Sequence, residues 1–419
     1  MAEGHLLLDN LQSMWWIAAA ASLAPVLAIL TRRVVPDVVW LLTLGVIIGP
    51  NVFGIAGQTE AVEFLSELGV GFLFLLAGFE LNTSHMRSRQ GKHAALTWII
   101  CAVLGVGAGL LLVEGDVRAA IVIALASTST ALGVLLPILK DSGLIAKPLG
   151  EATMVHGAWG ELLPIVAMSL LLSTRATWEA AAVLILFAVT AVLAVVVPAR
   201  LFQRVPLLAR AFTYASNTTM QTTLRLTVFL LITLMLLTAA LDLDVALGAF
   251  TAGILASAGF RAAAPKHADE IAHKLEIVGF SLLVPVFFVT SGMSIDILAV
   301  LREWPMLLGF VVMIAIVRGV PIIVREFVVN TDSGIPNARE KVSLGLFAST
   351  GLPIIVAVTY IGVSAEIITA TSASVMVTAG AVTVLIFPMI AQRLVKSTAG
   401  TSAGPQSDAA GTSAGPQSD

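Results

Sequence analysis

Three groups of polar residues lie inside otherwise apolar stretches, and each has chemistry suited to holding a positive charge. The first is Glu161, within KPLGEATMVHGAWGELLPIVAMSLLLSTR (147–175), fourteen residues from Lys147 on one side and from Arg175 on the other. A helix rising about 1.5 Å per residue would carry this stretch across roughly 40 Å, a bilayer with its headgroups, and would place Glu161 at the midplane. A carboxylate there costs on the order of 3 kcal/mol or more, so it is expected to face the protein interior and to bind something positive. The alternative is a helix-packing glutamate that stays protonated and hydrogen-bonded. The second and third groups are ASTST (126–130) and ASTGLP (348–353), each near the middle of an apolar run. Small hydroxylated residues beside Gly and Pro allow a helix to break at depth, provided the freed backbone groups line a cavity inside the protein. Hard cations prefer oxygen ligands, so the hydroxyls of Ser127, Thr128, Ser129 and Thr130, with the carbonyls of the broken turn, form a candidate ligand set for Glu161's partner. Ordinary Ser/Thr packing between helices is the competing reading of either motif alone.

The elements that must position these groups are read from composition. The 419 residues are 58% hydrophobic and 12% charged, with a mean hydropathy of +0.98. A water-soluble domain of this size could not cover its surface with polar groups, so the chain is expected to be an integral membrane protein. A net charge of −3 with cations scattered over many loops excludes nucleic acid as an expected partner. The lone Cys101 permits no intrachain disulfide. The leader before the first apolar run is acidic and neutral, so that run is expected to be a span and not a cleaved signal. No zinc-site spacing, nucleophile–base pair or phosphate loop is present, so neither an enzyme nor a cofactor is expected.

Hydropathy and breakers predict thirteen spans, near 12–30, 37–54, 62–81, 94–113, 118–139, 148–172, 177–198, 223–241, 244–260, 273–291, 305–325, 342–361 and 366–391. Their lengths suit α-helices and not barrel strands, which makes the expected fold an all-α membrane protein. On this reading nineteen of the 23 Lys and Arg fall in the odd-numbered loops and after the last span. Arg118, Arg175 and Arg302 fall in the even-numbered loops, and Arg318 lies inside a span. The positive-inside rule then predicts an outer N-terminus and a cytoplasmic C-terminus in the cell membrane. The two Ala-Ser-Thr motifs are 222 residues and seven spans apart. An odd number of spans reverses the direction of crossing. This predicts an inverted repeat, spans 1–6 matching 8–13 with span 7 as a bridge, in which two discontinuous helices cross at the midplane. The transmembrane domain is expected over 1–396, with RAAAPKHADEIAHKLE (261–276) as a short amphipathic link. A disordered small-residue tail is expected over 397–419.

Four stretches resemble signatures of the monovalent cation/proton antiporters, second branch, which carry the sodium/hydrogen exchanger domain. They are PDVVWLLTLGVIIGPNVFG (36–54), ELGVGFLFLLAGFELN (67–82), VALGAFTAGILAS (245–257) and LVPVFFVTSGMSID (283–296). The resemblance implies a homodimer in which a core domain containing the crossed broken spans moves against a scaffold in an elevator-like motion. It also implies a transported monovalent cation, Na⁺ or K⁺, and H⁺ as ligands. Members commonly carry Asp-Asp or Asn-Asp in the sixth span, where this chain has Gly160 and Glu161. Arg318, in IAIVRGVPIIV (314–324), resembles the basic residue of their eleventh span. One missing carboxylate and an Arg at that place imply one-for-one, electroneutral exchange. The twelfth-span Ser349, Thr350 and Gly351 are then site-supporting residues.

Exchange requires a site that accepts a proton or a cation but never both, and a partly desolvated carboxylate meets that requirement. Arg318 keeps its proton, so it must stay paired or solvated: as a partner of Glu161 when empty or of broken-helix carbonyls, or, as the competing reading, by snorkelling toward the inner end of the span, seven residues away at Arg325. His156, five residues before Glu161 and about 140° around the helix, lies off the ligand face and is a candidate pH modulator. Glu80 matches a family acidic position and is expected to be structural, while Asp242 and Asp244 are expected in a turn. Two other classes compete: a sodium-coupled solute symporter, which would need separate Na⁺ sites, and a gated channel or membrane sensor.

Overall fold

The structure, a computed structural model, describes residues 2–31, 35–81, 86–171, 177–204, 221–263 and 268–402. In chain order the helices are α1 (Ala2–Leu30), α2 (Asp37–Ile48), α3 (Glu60–Glu80), α4 (Arg89–Leu112), α5 (Val117–Thr128), α6 (Leu132–Asp141), α7 (Pro148–Leu171), α8 (Thr177–Arg204), α9 (Gln221–Ala240), α10 (Val245–Ala263), α11 (Ala268–Val278), α12 (Val284–Met293), α13 (Ile297–Arg302), α14 (Trp304–Ile314), α15 (Val320–Val328), α16 (Ala338–Ala348), α17 (Leu352–Ser364) and α18 (Ala370–Ser402). The described residues contain no strand. Among the described residues ten helical segments are long and apolar enough to cross a membrane, and three shorter apolar helices lie at Asp37–Ile48, Ala182–Leu193 and Val245–Arg261. Large apolar side chains are exposed along the outer faces, among them Leu111, Leu236 and Ile316. In water such a surface would aggregate, whereas lipid solvates it.

The helices pack in two groups. In one, α3 runs against α10 and α12, α2 against α1 and α12, and α9 against α10. The α3–α10 seam is backbone to backbone. A Cβ at Gly78 would meet the Phe250 carbonyl oxygen at 2.2 Å, and one at Gly253 the Leu75 carbonyl oxygen at 2.1 Å. Small residues give transmembrane helices this approach where apolar burial cannot drive association. In the other group α4 packs on α5 and α7, α7 on α16, α5 on α17, and α16 and α17 on α18.

Both predicted breaks are present. Between α5 and α6 the chain is extended at Ser129 (φ −74°, ψ 156°) and Ala131 (φ −104°, ψ 92°). Between α16 and α17 it leaves the helix at Ser349 and Gly351. The local cause of the first break is in its side chains. The hydroxyls of Ser127 and Thr128 donate to the Ala124 carbonyl, at 3.1 and 2.8 Å, and that of Ser129 to Ala126 at 3.0 Å. Side chains thus take up carbonyls at the end of α5, the competition with regular helix bonding that such residues offer.

Several boundaries differ from expectation. The second helix stops at Ile48 and not at 54, because Gly49 is extended (ψ 171°) and Pro50 follows it. The first begins at Ala2, ahead of the apolar run. The charged stretch 261–276 is no simple link: α10 extends to Ala263 and α11 starts at Ala268, where the Lys274–Glu270 pair (3.1 Å, i,i+4) supports the helix. Of the expected tail, α18 covers up to Ser402 and 403–419 lie outside the described residues. Asp242 has a positive φ of 52° and Asp244 accepts from the Ala246 N–H at 2.8 Å, so this pair shapes a turn. Burial pushes the Asp244 carboxyl up to about 6.

Candidate functional site

The two breaks meet. Thr130 N–H donates to the Gly160 carbonyl of α7 at 2.9 Å, and Ala131 N–H to the Thr350 carbonyl at 2.6 Å. The Ser129 hydroxyl reaches the Gly351 carbonyl at 3.2 Å, and the Thr130 hydroxyl donates to the Ala348 carbonyl. Backbone groups freed by one break therefore satisfy those freed by the other, as irregular backbone at membrane depth requires. All four hydroxylated residues of 127–130, with Ser349 and Thr350, are fully or almost fully buried.

Arg318 ties this crossing to α7. Its Nη2 donates to the Thr130 hydroxyl at 3.0 Å and to the His156 carbonyl at 2.9 Å, and its Nε to the Ala348 carbonyl at 3.3 Å. The last contact sets a cation at the C-terminal, negative end of α16. Arg318 is 0% exposed, the largest fully buried side chain in the described protein. It lies in a π-helical turn, Ala315–Gly319, where Val320 N–H bonds the Ala315 carbonyl five residues back. Pro321 has no N–H to return to the turn before it, and the ladder accommodates this by widening. Of the two partners expected for Arg318, the structure chooses the carbonyls and not Glu161.

Gly160 makes that docking possible. A Cβ there would lie 2.4 Å from Arg318 Nη2, 2.4 Å from Thr130 Oγ1 and 2.8 Å from Thr130 Cβ. The place that a side chain at position 160 would occupy is here filled by the guanidinium. Ser349 donates to the Gly345 carbonyl at 2.7 Å, shaping the end of α16. A Cβ on Gly351 would strike Ser129 at 2.4 to 2.8 Å, so this glycine permits the two breaks to touch.

Glu161 faces the interior, 3% exposed, on the residue after the Gly160 carbonyl that receives Thr130. Its Oε2 is buried with no hydrogen-bond partner. His156 is buried as well, with Nδ1 unpartnered, and joins the cluster through its carbonyl and not its ring. Sequence reading offered the broken-helix carbonyls as acceptors for Arg318, and Ala348 is one of them; it missed the His156 carbonyl and the Thr130 hydroxyl. Cys101 packs behind the cluster, its Sγ 3.8 Å from the Arg318 carbonyl.

Chemically this is a buried, unpaired acid beside a cross of helix ends, with a fixed cation held nearby by neutral oxygens. The family described as sodium/hydrogen exchanger, transmembrane, matches residues 18–397. The chain belongs to the sodium/hydrogen exchanger family. Among its relatives, the Bacillus subtilis (strain 168) protein YjbQ is 26% identical over 313 residues, 70% of this chain and 49% of YjbQ. The glutathione-regulated potassium-efflux system protein KefC of Klebsiella pneumoniae is 29% identical over 305 residues, 70% of this chain and 46% of KefC. The chain thus spans about half the length of these relatives. The solved structure of the sodium proton antiporter MjNhaP1 from Methanocaldococcus jannaschii at pH 8 superposes with a TM-score of 0.64, covering 94% of this chain and 98% of that one at 18% identity. At that identity the likeness shows a shared all-helical fold.

Proposed function

We propose that this exchanger is a secondary transporter that swaps one monovalent cation, Na⁺ or K⁺, for one H⁺, with Glu161 as the group both ions share. The observation that carries this reading is the Glu161 carboxylate, buried and with Oε2 unpartnered, on the turn of α7 that receives the crossing of two broken helices. A bare charge there is costly, and either a proton or a cation removes the cost. The oxygens of Ser127, Thr128 and Ser129 and the freed carbonyls are the remaining cation ligands. Their hydroxyl protons point at carbonyls, which leaves lone pairs for a cation. Thr130, already engaged by Arg318, supports the site from behind.

Coupling follows from electrostatics. The core crosses the bilayer with Glu161 neutralised by H⁺ or by the cation, and stays put with it charged and empty. Arg318 keeps its charge and its three oxygen partners throughout, so the net charge carried is the same in both directions and exchange is electroneutral. The elevator motion is supported by the two helix groups, which touch each other through few elements, α10 against α7 and α2 against α18 among them. In the same reading residues 1–396 form two inverted repeats and thirteen crossings in the cell membrane, with the N-terminus outside and the C-terminus in the cytoplasm. A homodimer is the assembly that the family resemblance implies.

Proteoliposomes loaded with a pH-sensitive dye test this. A Na⁺ or K⁺ jump is expected to move protons at a rate unchanged when the voltage is clamped at zero. A rate that follows the voltage would overturn electroneutrality, and solute-dependent uptake with no proton signal would replace exchange by symport.

A further inference from the structure

Two adjoining cavities lead away from the site, and they share two residues, Glu80 and Met154. The inner cavity, about 40 Å³, is lined by Glu80, Leu132, Met154 and Ala158 among others. The outer one, about 180 Å³, opens among Lys140, Arg261 and Glu276. Both exceed the roughly 10–15 Å³ that a water molecule needs. Lys140 and Arg261 belong to the cation-rich loops, so the outer cavity opens on the face read above as cytoplasmic. The inner cavity ends one helical turn from Glu161: Met154, Ala158 and Glu161 follow the i, i+4, i+7 spacing of a single face of α7. Leu132, the first residue after the break, closes that last turn. A Cβ on Gly157, four residues before Glu161, would lie 2.2 Å from its Cδ2.

Glu80 is at the waist of this path. Its Oε2 is buried and has no hydrogen-bond partner. Glu276 and Lys140 line the outer cavity together with it. Structural carboxylates at membrane depth are normally paired, so an unpaired one lining two cavities needs another account. We infer that Glu80 is a second ion-handling carboxylate, a relay that passes protons and admits alkali cations between the Lys140–Arg261–Glu276 mouth and Glu161. In the step that releases the proton to the cytoplasmic face, the Glu161 proton passes through water to the Glu80 carboxylate, and the proton on Glu80 then leaves to water in the outer cavity. A cation entering by the same path meets Glu80 first and Glu161 once Leu132 has swung aside. This rests on the exchange reading of Glu161, and it departs from the structural role expected for Glu80.

The test compares Glu80→Gln, Glu80→Asp and Glu161→Gln in the same dye-loaded vesicles. Glu80→Gln is expected to slow exchange about tenfold and to shift its pH profile, with an unchanged melting temperature, and Glu80→Asp to recover most of the rate. Infrared difference spectra on adding Na⁺ or K⁺ give a readout independent of transport: two carboxyl C=O bands should bleach, one lost in each Gln variant. A Glu80→Gln protein with wild-type rate and pH profile, or a cation response lacking only the Glu80 band, overturns the relay and leaves the Glu161 reading standing. A response lacking the Glu161 band overturns that reading instead.

Discussion

Replacing Glu161 with Gln abolishes exchange, lowering cation-driven proton flux at least about a hundredfold to the level of empty vesicles, and leaves the protein folded. Gln keeps the shape of the side chain but can neither release a proton nor carry the charge that attracts a cation. The fold should not suffer, because Oε2 gives up no hydrogen bond and a neutral amide costs less to bury than a carboxylate. The melting temperature in detergent is therefore expected to be equal to or above that of the unaltered protein. Glu161→Asp retracts the carboxylate by one methylene and is expected to retain exchange with a displaced pH profile. Wild-type flux in Glu161→Gln would remove this residue from the mechanism.

The second large effect is expected at Arg318. Arg318→Met removes the donors to the Thr130 hydroxyl and to the His156 and Ala348 carbonyls. Each bond from a charged donor is worth about 1.5–3 kcal/mol, and orphaned buried acceptors add to the loss. Relief from burying the guanidinium offsets part of this, the more so because its Nη1 has no partner. A net loss of about 2–4 kcal/mol is expected, seen as a lowered melting temperature together with near-complete loss of exchange. Arg318→Lys keeps the charge but not the planar fork, so one of the three contacts survives and an intermediate loss follows. Gly160→Ala attacks the same cluster from the other side, since its methyl group would occupy the place of Nη2. Equal stability and flux in Arg318→Met would mean that the crossing does not depend on this cation.

How much of this was legible in the sequence differs from residue to residue. The breaks at 129–131 and 349–351 were readable because hydroxyls, Gly and Pro in the middle of an apolar run have few other uses. The inward face of Glu161 was readable for the same energetic reason. For Arg318 the broken-helix carbonyls were in view as a class, and the Ala348 carbonyl is one; the His156 carbonyl was not, because it is a backbone oxygen 162 residues away in a helix with no break there. Gly160 read as a missing carboxylate, whereas in the fold it is the space that the guanidinium fills; only the geometry of three elements together reveals that. Glu80 read as structural because its residue type says nothing of the cavities on either side. The early stop of α2 at Ile48 was in view as Gly49-Pro50, but hydropathy alone ran past it.

The central claim is that one carboxylate is occupied in turn by a proton and by an alkali cation. The direct measurement is the apparent KM for Na⁺ or K⁺ in proteoliposomes as a function of pH, with the maximal rate recorded alongside. Competition at Glu161 predicts that KM rises about tenfold for each unit of acidification on the acid limb while the maximal rate stays constant. A KM that does not move with pH, with acidification acting on the maximal rate alone, would contradict a shared site.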